Sequence, residues 1–391
     1  MHEKYLLPIG PYHPTMKEPE HFKAYVRGED IIDLDFELGY MYRGIEELAE
    51  RRTWYKVLLL VNKVCGICPI PHTMCFSRGV EQLNNIQVPE RAEYIRTIVS
   101  ELNRVHSHLL FLGIAGYAIG FDTIFKWCWA IREIVLDLLE MITGNRIHYF
   151  MITFGGVRRD IKKDMIQRIK KDLKKLEERI KEIHEIFRTD RMIDKRMAGV
   201  GILTKRKAID LGVVGPTARG SGVKIDVRKQ YPYAAYSDID FKIITEGDGD
   251  CKAKALVRSG ECLESIRIIE QALDKMPSGK INQGRLTSIK VKPGEVLILT
   301  EAPRGEDAHY LVSDGGKTPK RLRIRPPTYA NLISVKEMSK GSKIADVPII
   351  IESIDPCFGC TDRMSVIDID TKKQNIVEFD KLLGREKKIV E

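Results

Sequence analysis

Several absences narrow the possibilities before any motif is considered. No stretch of the 391-residue chain reads as a membrane span. The most apolar long run, residues 124–142, carries Lys126, Arg132, Glu133, Asp137 and Glu140, which marks a helix of a water-facing protein. Residues 1–5 lack a basic stretch leading into an apolar segment, so export is not expected. Basic runs interleaved with aromatics are missing too, which argues against nucleic-acid binding. There is no internal repeat and no low-complexity linker. The expectation is a cytoplasmic chain that meets a membrane only through partner subunits.

What is present is a charge-rich globular composition. Hydrophobic residues make up 43%, an ordinary share, and charged residues 30%, above the usual quarter and suited to a heat-adapted protein. The net charge of +9 fits an ordinary solvated face, with an acidic partner or anionic membrane face as the other reading. The length allows one large domain or two ordinary ones.

Periodicity then suggests the elements. Residues 22–38 alternate Phe22, Ala24, Val26, then Ile32, Leu34, Phe36 and Leu38 across Gly28-Glu29-Asp30, which predicts a β-hairpin with one buried face. Residues 42–64 look helical and end at Cys65. Pro89-Glu90 opens another helix with the stripe Ile95, Ile98, Leu102, Val105, Leu109, Leu112. Residues 161–187 form a long amphipathic helix, 212–249 are dominated by loops, and 296–299 and 347–351 read as short β-like runs. The predicted architecture is α+β: a helix-rich single large domain with a small N-terminal β-hairpin region, its two ends meeting at cysteines.

Those cysteines carry the chemistry. Of eight, four form Cys65-Gly-Ile-Cys68 and Cys357-Phe-Gly-Cys360. Four thiolates make a soft site for zinc, nickel, copper(I) or an iron–sulfur cluster. Paired Cys-x-x-C motifs of structural zinc usually lie about 15–20 residues apart, whereas nearly the whole chain separates these. Spacing alone leaves structural zinc, a redox or catalytic metal, and separate dithiols open. Cys75, Cys128, Cys251 and Cys262 have no partner at ligand spacing and are expected as buried thiols. His106 and His108, two apart on a helix, cannot face one metal together and are expected to serve packing.

The flanking residues carry a family resemblance. The segments Asn62-Lys-Val-Cys-Gly-Ile-Cys-Pro-Ile-Pro-His72 and Asp355-Pro-Cys-Phe-Gly-Cys-Thr-Asp-Arg363 resemble the two cysteine motifs of [NiFe] hydrogenase large subunits, with Lys63 where that family carries Arg. Gly10-Pro-Tyr-His13, Glu18-Pro-Glu20-His21, Arg43-Gly44-Ile45-Glu46, Arg104-Val-His106-Ser-His108, Gly215-Pro-Thr-Ala-Arg219 and Ala302-Pro-Arg304-Gly305 are similar to the membrane-bound, energy-converting group. That group is related to the quinone-site subunit of respiratory complex I, which shares the scaffold but lacks the four cysteines.

The resemblance implies a specific site. Cys65 and Cys357 would be terminal nickel ligands, and Cys68 and Cys360 would bridge to an iron carrying CO and cyanide. Protons would pass from Cys357 to Glu18, with Glu20 as runner-up. Arg304 would lie over the open site near a cyanide and Thr328 would serve the other cyanide. Asp355 would orient Arg304 or the ligand loop, and His72 would bond a bridging sulfur. Glu46 resembles a Glu that in some relatives helps hold a magnesium or iron ion near the C-terminus. Residues 364–391 would be an extension cut after Arg363 by a maturation protease, leaving residues 1–363 as the catalytic domain. Implied partners are a small subunit with iron–sulfur clusters, membrane subunits of a complex I-like assembly, and ferredoxin. A scaffold-related quinone or polysulfide reductase subunit and a structural zinc protein are the rival readings.

Overall fold

The computed structural model describes residues 4–364 apart from 15 and 285, together with 366 and 370. Strands β1 (Lys4–Ile9), β2 (His21–Arg27) and β3 (Asp30–Glu37) form an antiparallel sheet in that order. The expected hairpin is β2–β3, with Phe22, Ala24, Val26, Ile31 and Leu34 buried. Its alternation breaks at one place. The register shifts beside Tyr25 and Val26, so Ile32 is the extra residue and stands exposed, while Ile31 takes the inward position. Strand β1 gave no sequence signal, because Tyr5, Leu6 and Leu7 face solvent and alternate with nothing buried.

The helix expected over 42–64 is two helices, α1 (Ile45–Glu50) and α2 (Trp54–Val61). Thr53 between them is extended, and Trp54 is anchored from outside: its Nε1 donates to the Gly316 carbonyl at 3.2 Å and its backbone N–H to Lys317. Helix α3 (Pro69–Asn84) begins with proline in its first turn, directly after Cys68. Helices α4 (Glu90–Ala118) and α5 (Asp122–Thr143) follow, then the two-residue strands β4 (Ile152–Thr153) and β5 (Gly156–Val157). The predicted amphipathic helix is α6 (Lys163–Thr189), which buries Ile169, Leu173, Leu176, Ile180, Ile183 and Phe187.

Short helices α7 (Arg191–Met197) and α8 (Lys205–Asp210) follow, and α9 (Gly215–Gly220) and α10 (Val227–Gln230) interrupt the loops expected over 212–249. Helix α11 (Cys251–Lys275) is capped by Asp250, whose carboxylate accepts from the Ala253 N–H at 2.7 Å. Strands β6 (Gly294–Ala302), β7 (Gly305–Ser313) and β8 (Arg321–Arg325) form a second antiparallel sheet, and α12 (Pro327–Ser339), α13 (Val347–Ser353) and α14 (Phe358–Thr361) complete the order. The β-like run at 347–351 is thus helical. Its Ile349, Ile350 and Ile351 are buried alike, so no polar position reveals a period, and Pro348 starts a helix there.

Helix α4 is the centre of the domain. Its apolar stripe is fully buried, and so are Arg96, Glu101, Arg104, His106 and His108. Each has a partner: Arg96 pairs with Glu81, Glu101 with Arg104 and Arg228, His106 with Arg132, and His108 with Glu261. The two histidines face different partners and serve packing, as expected.

Two motif loops touch backbone to backbone. Gly215 has φ +65°, and a Cβ there would lie 2.3 Å from the Arg304 carbonyl oxygen and 2.4 Å from Gly305 Cα. Asn331 pins the same junction, accepting from the Val214 N–H at 2.8 Å and donating to the Arg304 carbonyl at 3.4 Å. Gly215→Ala should therefore cost on the order of 1–3 kcal/mol for the backbone strain alone and push the Arg304 turn outward. Urea unfolding of the purified chain checks this; an unchanged midpoint would show that the contact is not tight.

Candidate metal centre

The two cysteine pairs converge. Cys65 lies after α2, Cys68 precedes α3, Cys357 precedes α14 and Cys360 lies within it. Cys65 Sγ is 3.0 Å from Cys68 Sγ and 3.5 Å from Cys357 Sγ, and Cys357 Sγ is 2.8 Å from Cys360 Sγ. All four are buried and free of disulfides. Burial raises the Cys65 thiol, but hydrogen bonds from Cys357, Cys360 and Cys68 and the charge of Arg304 outweigh it, so Cys65 sits well below the ordinary thiol range. Burial and hydrogen bonds among the sulfurs push Cys360 well above it. One negative charge in the pocket disfavours the next, and only a cation would let all four ionise. The donor set is therefore one that suits a soft, multiply charged metal.

One side chain fastens both loops. Arg43 Nη1 donates to the Lys63 carbonyl at 2.9 Å, and Nη2 to the carbonyls of Val64 at 2.6 Å and Gly359 at 2.5 Å. Asp362, in the left-handed region, accepts from the N–H groups of Arg43 at 2.9 Å and Ile45 at 2.7 Å. The motif around Arg43 is visible in the sequence, but this role is not. Lys63, the family departure, has an exposed side chain and takes part through its carbonyl.

The other candidate residues gather around the sulfurs. Glu18 Oε1 is 3.7 Å from Cys357 Sγ, and its Oε2 accepts from the Gly359 N–H at 2.8 Å. Burial raises the Glu18 carboxyl above its usual value against that bond. Arg304 donates from Nε to the Asp355 carbonyl at 2.6 Å, pairs through Nη2 with Asp355 Oδ1 at 3.0 Å, and reaches Cys68 Sγ at 3.8 Å and Ser107 Oγ at 3.2 Å through Nη1. Lys17 Nζ, 2.5 Å from Asp355 Oδ1 and 3.2 Å from Glu352 Oε2, adds a second cation that sequence reasoning missed. Thr328 Oγ1 accepts from the Cys357 N–H at 3.1 Å, leaving its own hydrogen free to donate. A ring nitrogen of His72 lies within 4.8 Å of the sulfurs of Cys68 and Cys360.

Residues 43–113 match the nickel-dependent hydrogenase family, and residues 118–289 and 284–363 match the respiratory-chain NADH dehydrogenase 49 Kd subunit family. The membrane-bound hydrogenase subunit alpha of Pyrococcus furiosus is 41% identical over 390 residues, covering 96% of this chain and 91% of that protein. The chain belongs to the family that joins membrane-bound hydrogenase large subunits with complex I 49 kDa subunits. Within this oxidoreductase family, the carbon monoxide-induced hydrogenase of Rhodospirillum rubrum is 39% identical, covering 92% of this chain and 99% of that protein. A solved structure of an archaeal membrane-bound sulfane sulfur reductase matches with a TM-score of 0.87 and 34% identity, covering 92% of this chain and 98% of that one. In keeping with family members that sit in membrane complexes, no helix among the described residues is long and apolar enough to cross a membrane.

One expected position differs from the family-based reading. Glu46 is surrounded by donors and cations: Oε1 accepts from the Ile324 N–H at 2.8 Å and pairs with Arg363 at 3.1 Å, and Oε2 pairs with Arg323 at 2.7 Å. A carboxylate so occupied does not fit a magnesium ion. Glu20, the runner-up, is buried and accepts the His21 N–H at 3.2 Å, whereas Glu18 makes the contact to Cys357. The other four cysteines are buried thiols, Cys128 pushed up to about 12 and Cys251 to about 11 by burial.

Burial pushes the Glu20 carboxyl from 4.5 up to about 8. Folding thus takes up a proton between those values, and the resulting stability is full below about pH 4.5 and lost as pH rises through 8. Glu20→Gln should flatten that decline, raising Tm relative to wild type at pH 8–9 but not at pH 4. Parallel Tm–pH curves for the two proteins would contradict this.

Proposed function

We propose that the chain is the catalytic subunit of an energy-converting [NiFe] hydrogenase. The observation that carries this reading is the convergence of four free, buried cysteines beside a fixed Arg304 and a raised Glu18. Cys65 and Cys357 would hold nickel, and Cys68 and Cys360 would bridge it to an iron with CO and cyanide ligands. When bound, that centre supplies the reversible heterolytic cleavage of H2 to protons and electrons.

The protein's own groups do the rest. Glu18 Oε1, next to Cys357 Sγ, takes the proton from that sulfur and passes it outward; burial raises its carboxyl, which strengthens it as a proton acceptor. The Asp355–Arg304 pair holds a planar cation beside Cys68, where it can donate to an anionic ligand without rearranging. The Thr328 hydroxyl hydrogen is available to a second anionic ligand. Cys75, Cys128, Cys251 and Cys262 are single thiols apart from one another in sequence, so iron–sulfur clusters belong to a small partner subunit. Ferredoxin is the expected electron partner, and membrane subunits place the chain peripherally on the cytoplasmic face.

The similarity to a sulfane sulfur reductase and to complex I subunits supports a second reading, a quinone or polysulfide reductase on the same scaffold. Infrared spectroscopy with metal analysis of the complex from its native host separates the readings. Sharp bands in the CO and cyanide region with nickel and iron support the hydrogenase; zinc, or no metal in active material, sinks it. In the loaded enzyme, Glu18→Gln should keep those bands but slow H2/D2 exchange by about 10²–10⁴-fold, the usual contribution of a positioned acid–base group. Exchange at the wild-type rate would remove Glu18 from the proton route.

The C-terminal extension is proposed as a maturation segment; beyond Met364 it lies almost entirely outside the described residues. Arg363, the last residue before the proposed cut, is docked: its Nη2 donates to the Ile324 carbonyl at 3.2 Å and pairs with Glu46. Mass spectrometry of the metal-loaded chain should find Arg363 as the C-terminus, and an intact Glu391 would refute the cleavage.

A further inference from the structure

Strand β7 turns two ionisable side chains into the core. Asp307 and His309, two residues apart and therefore on one face, are both fully buried, in line with Leu311. They meet His72, which stands one helical turn beyond Cys68 on α3. His72 Nδ1 lies 3.0 Å from Asp307 Oδ2 and 3.2 Å from His309 Nε2, and His309 Nε2 lies 3.3 Å from the same carboxylate oxygen. The two imidazole rings stack with centroids 5.5 Å apart at 29°. Neither carboxylate oxygen of Asp307 nor His309 Nδ1 makes a well-formed hydrogen bond among the described residues, so Oδ2 meets the two rings as a close charge contact. A core strand face gains nothing from such groups, since burying them is costly unless they are committed to one another.

With Nδ1 turned to Asp307 and His309, the other ring nitrogen is the one left for the sulfurs of Cys68 and Cys360. We propose that Asp307 and His309 are positioning residues, which lock the His72 ring so that Nε2 is presented to those two sulfurs. The inference rests on the reading of the four cysteines as metal ligands. A carboxylate behind a histidine fixes the ring's rotation and which nitrogen faces forward. Donation from Nε2 to a sulfur requires the ring to be protonated on both nitrogens, the form a carboxylate facing Nδ1 favours, and it would draw electron density from that sulfur. Burial would raise the Asp307 carboxyl, but the facing His72 and His309 hold it well below the usual range, so the anchor stays anionic.

The test compares the whole complex from its host as wild type, Asp307→Asn, His72→Gln and the double variant, by infrared spectroscopy and metal analysis. Asp307→Asn is expected to retain nickel and iron while displacing the CO and cyanide bands. The double variant should be displaced no further than His72→Gln alone, because Asp307 acts only through the ring. Bands of Asp307→Asn that coincide with wild type, or displacements that add in full, overturn the assignment. Should Asp307→Asn fail to load metal, His309→Gln removes the other partner of Nδ1 and carries the same comparison. A wild-type complex without such bands overturns the metal reading itself, which distinguishes that failure from this one.

Discussion

Four thiols share one buried site, where burial and mutual repulsion oppose their ionising together. That constraint organises the molecule. The first pair can meet the second only if a loop of 292 positions closes, and closure of so long a loop must be offset by contacts elsewhere. They are found at once around the sulfurs. Arg43 ties both loops by their carbonyls, Asp362 returns the favour through the Arg43 and Ile45 N–H groups, and Glu18 holds the Gly359 N–H.

Charge is arranged with the same economy. Arg304 and Lys17 flank Asp355, and Glu352 completes the group, so two cations meet two carboxylates beside the anionic sulfurs. Breaking one partner of such a buried set leaves an uncompensated charge, typically a loss of about 3–5 kcal/mol. The site is thereby electrostatically prepared on both sides: cationic at Arg304, and at Glu18 a carboxyl whose proton affinity burial has raised.

Much of this is legible in the sequence. The four cysteines, Glu18, Arg304, Thr328, Asp355 and His72 all stand out in motifs, and the structure brings every one of them to a single pocket. Helices α4 and α6 are legible because their apolar stripes repeat at helical spacing, whereas α11 is not read from the sequence. What escapes has weaker local signals. Ile32 reads as inward-facing by alternation, yet a bulge inserts one residue and reverses the faces beyond it. Residues 347–351 carry no polar position to set a period. Asp307 and His309 follow the two-residue alternation of a buried strand, yet their chemistry makes sense only against His72, more than 230 positions away. Glu46 matches a family position but not its ligand environment, since Arg323 and Arg363 approach it from elsewhere in the chain.

Helix α4 has a further consequence. Apolar surfaces alone would let a helix slide by a turn against its neighbours at modest cost, because one leucine contact resembles the next. The buried pairs that α4 makes with other elements forbid it, since each misaligned charge would be stranded. From this keyed rod, Asn103 holds the Ile67 carbonyl of the first cysteine loop at 2.7 Å, and Ser107, one turn on, receives Arg304 at 3.2 Å. The helix thus acts as a ruler: the spacing between a metal-binding loop and its guarding cation is set by helical rise, and is insensitive to the wandering of the loops themselves.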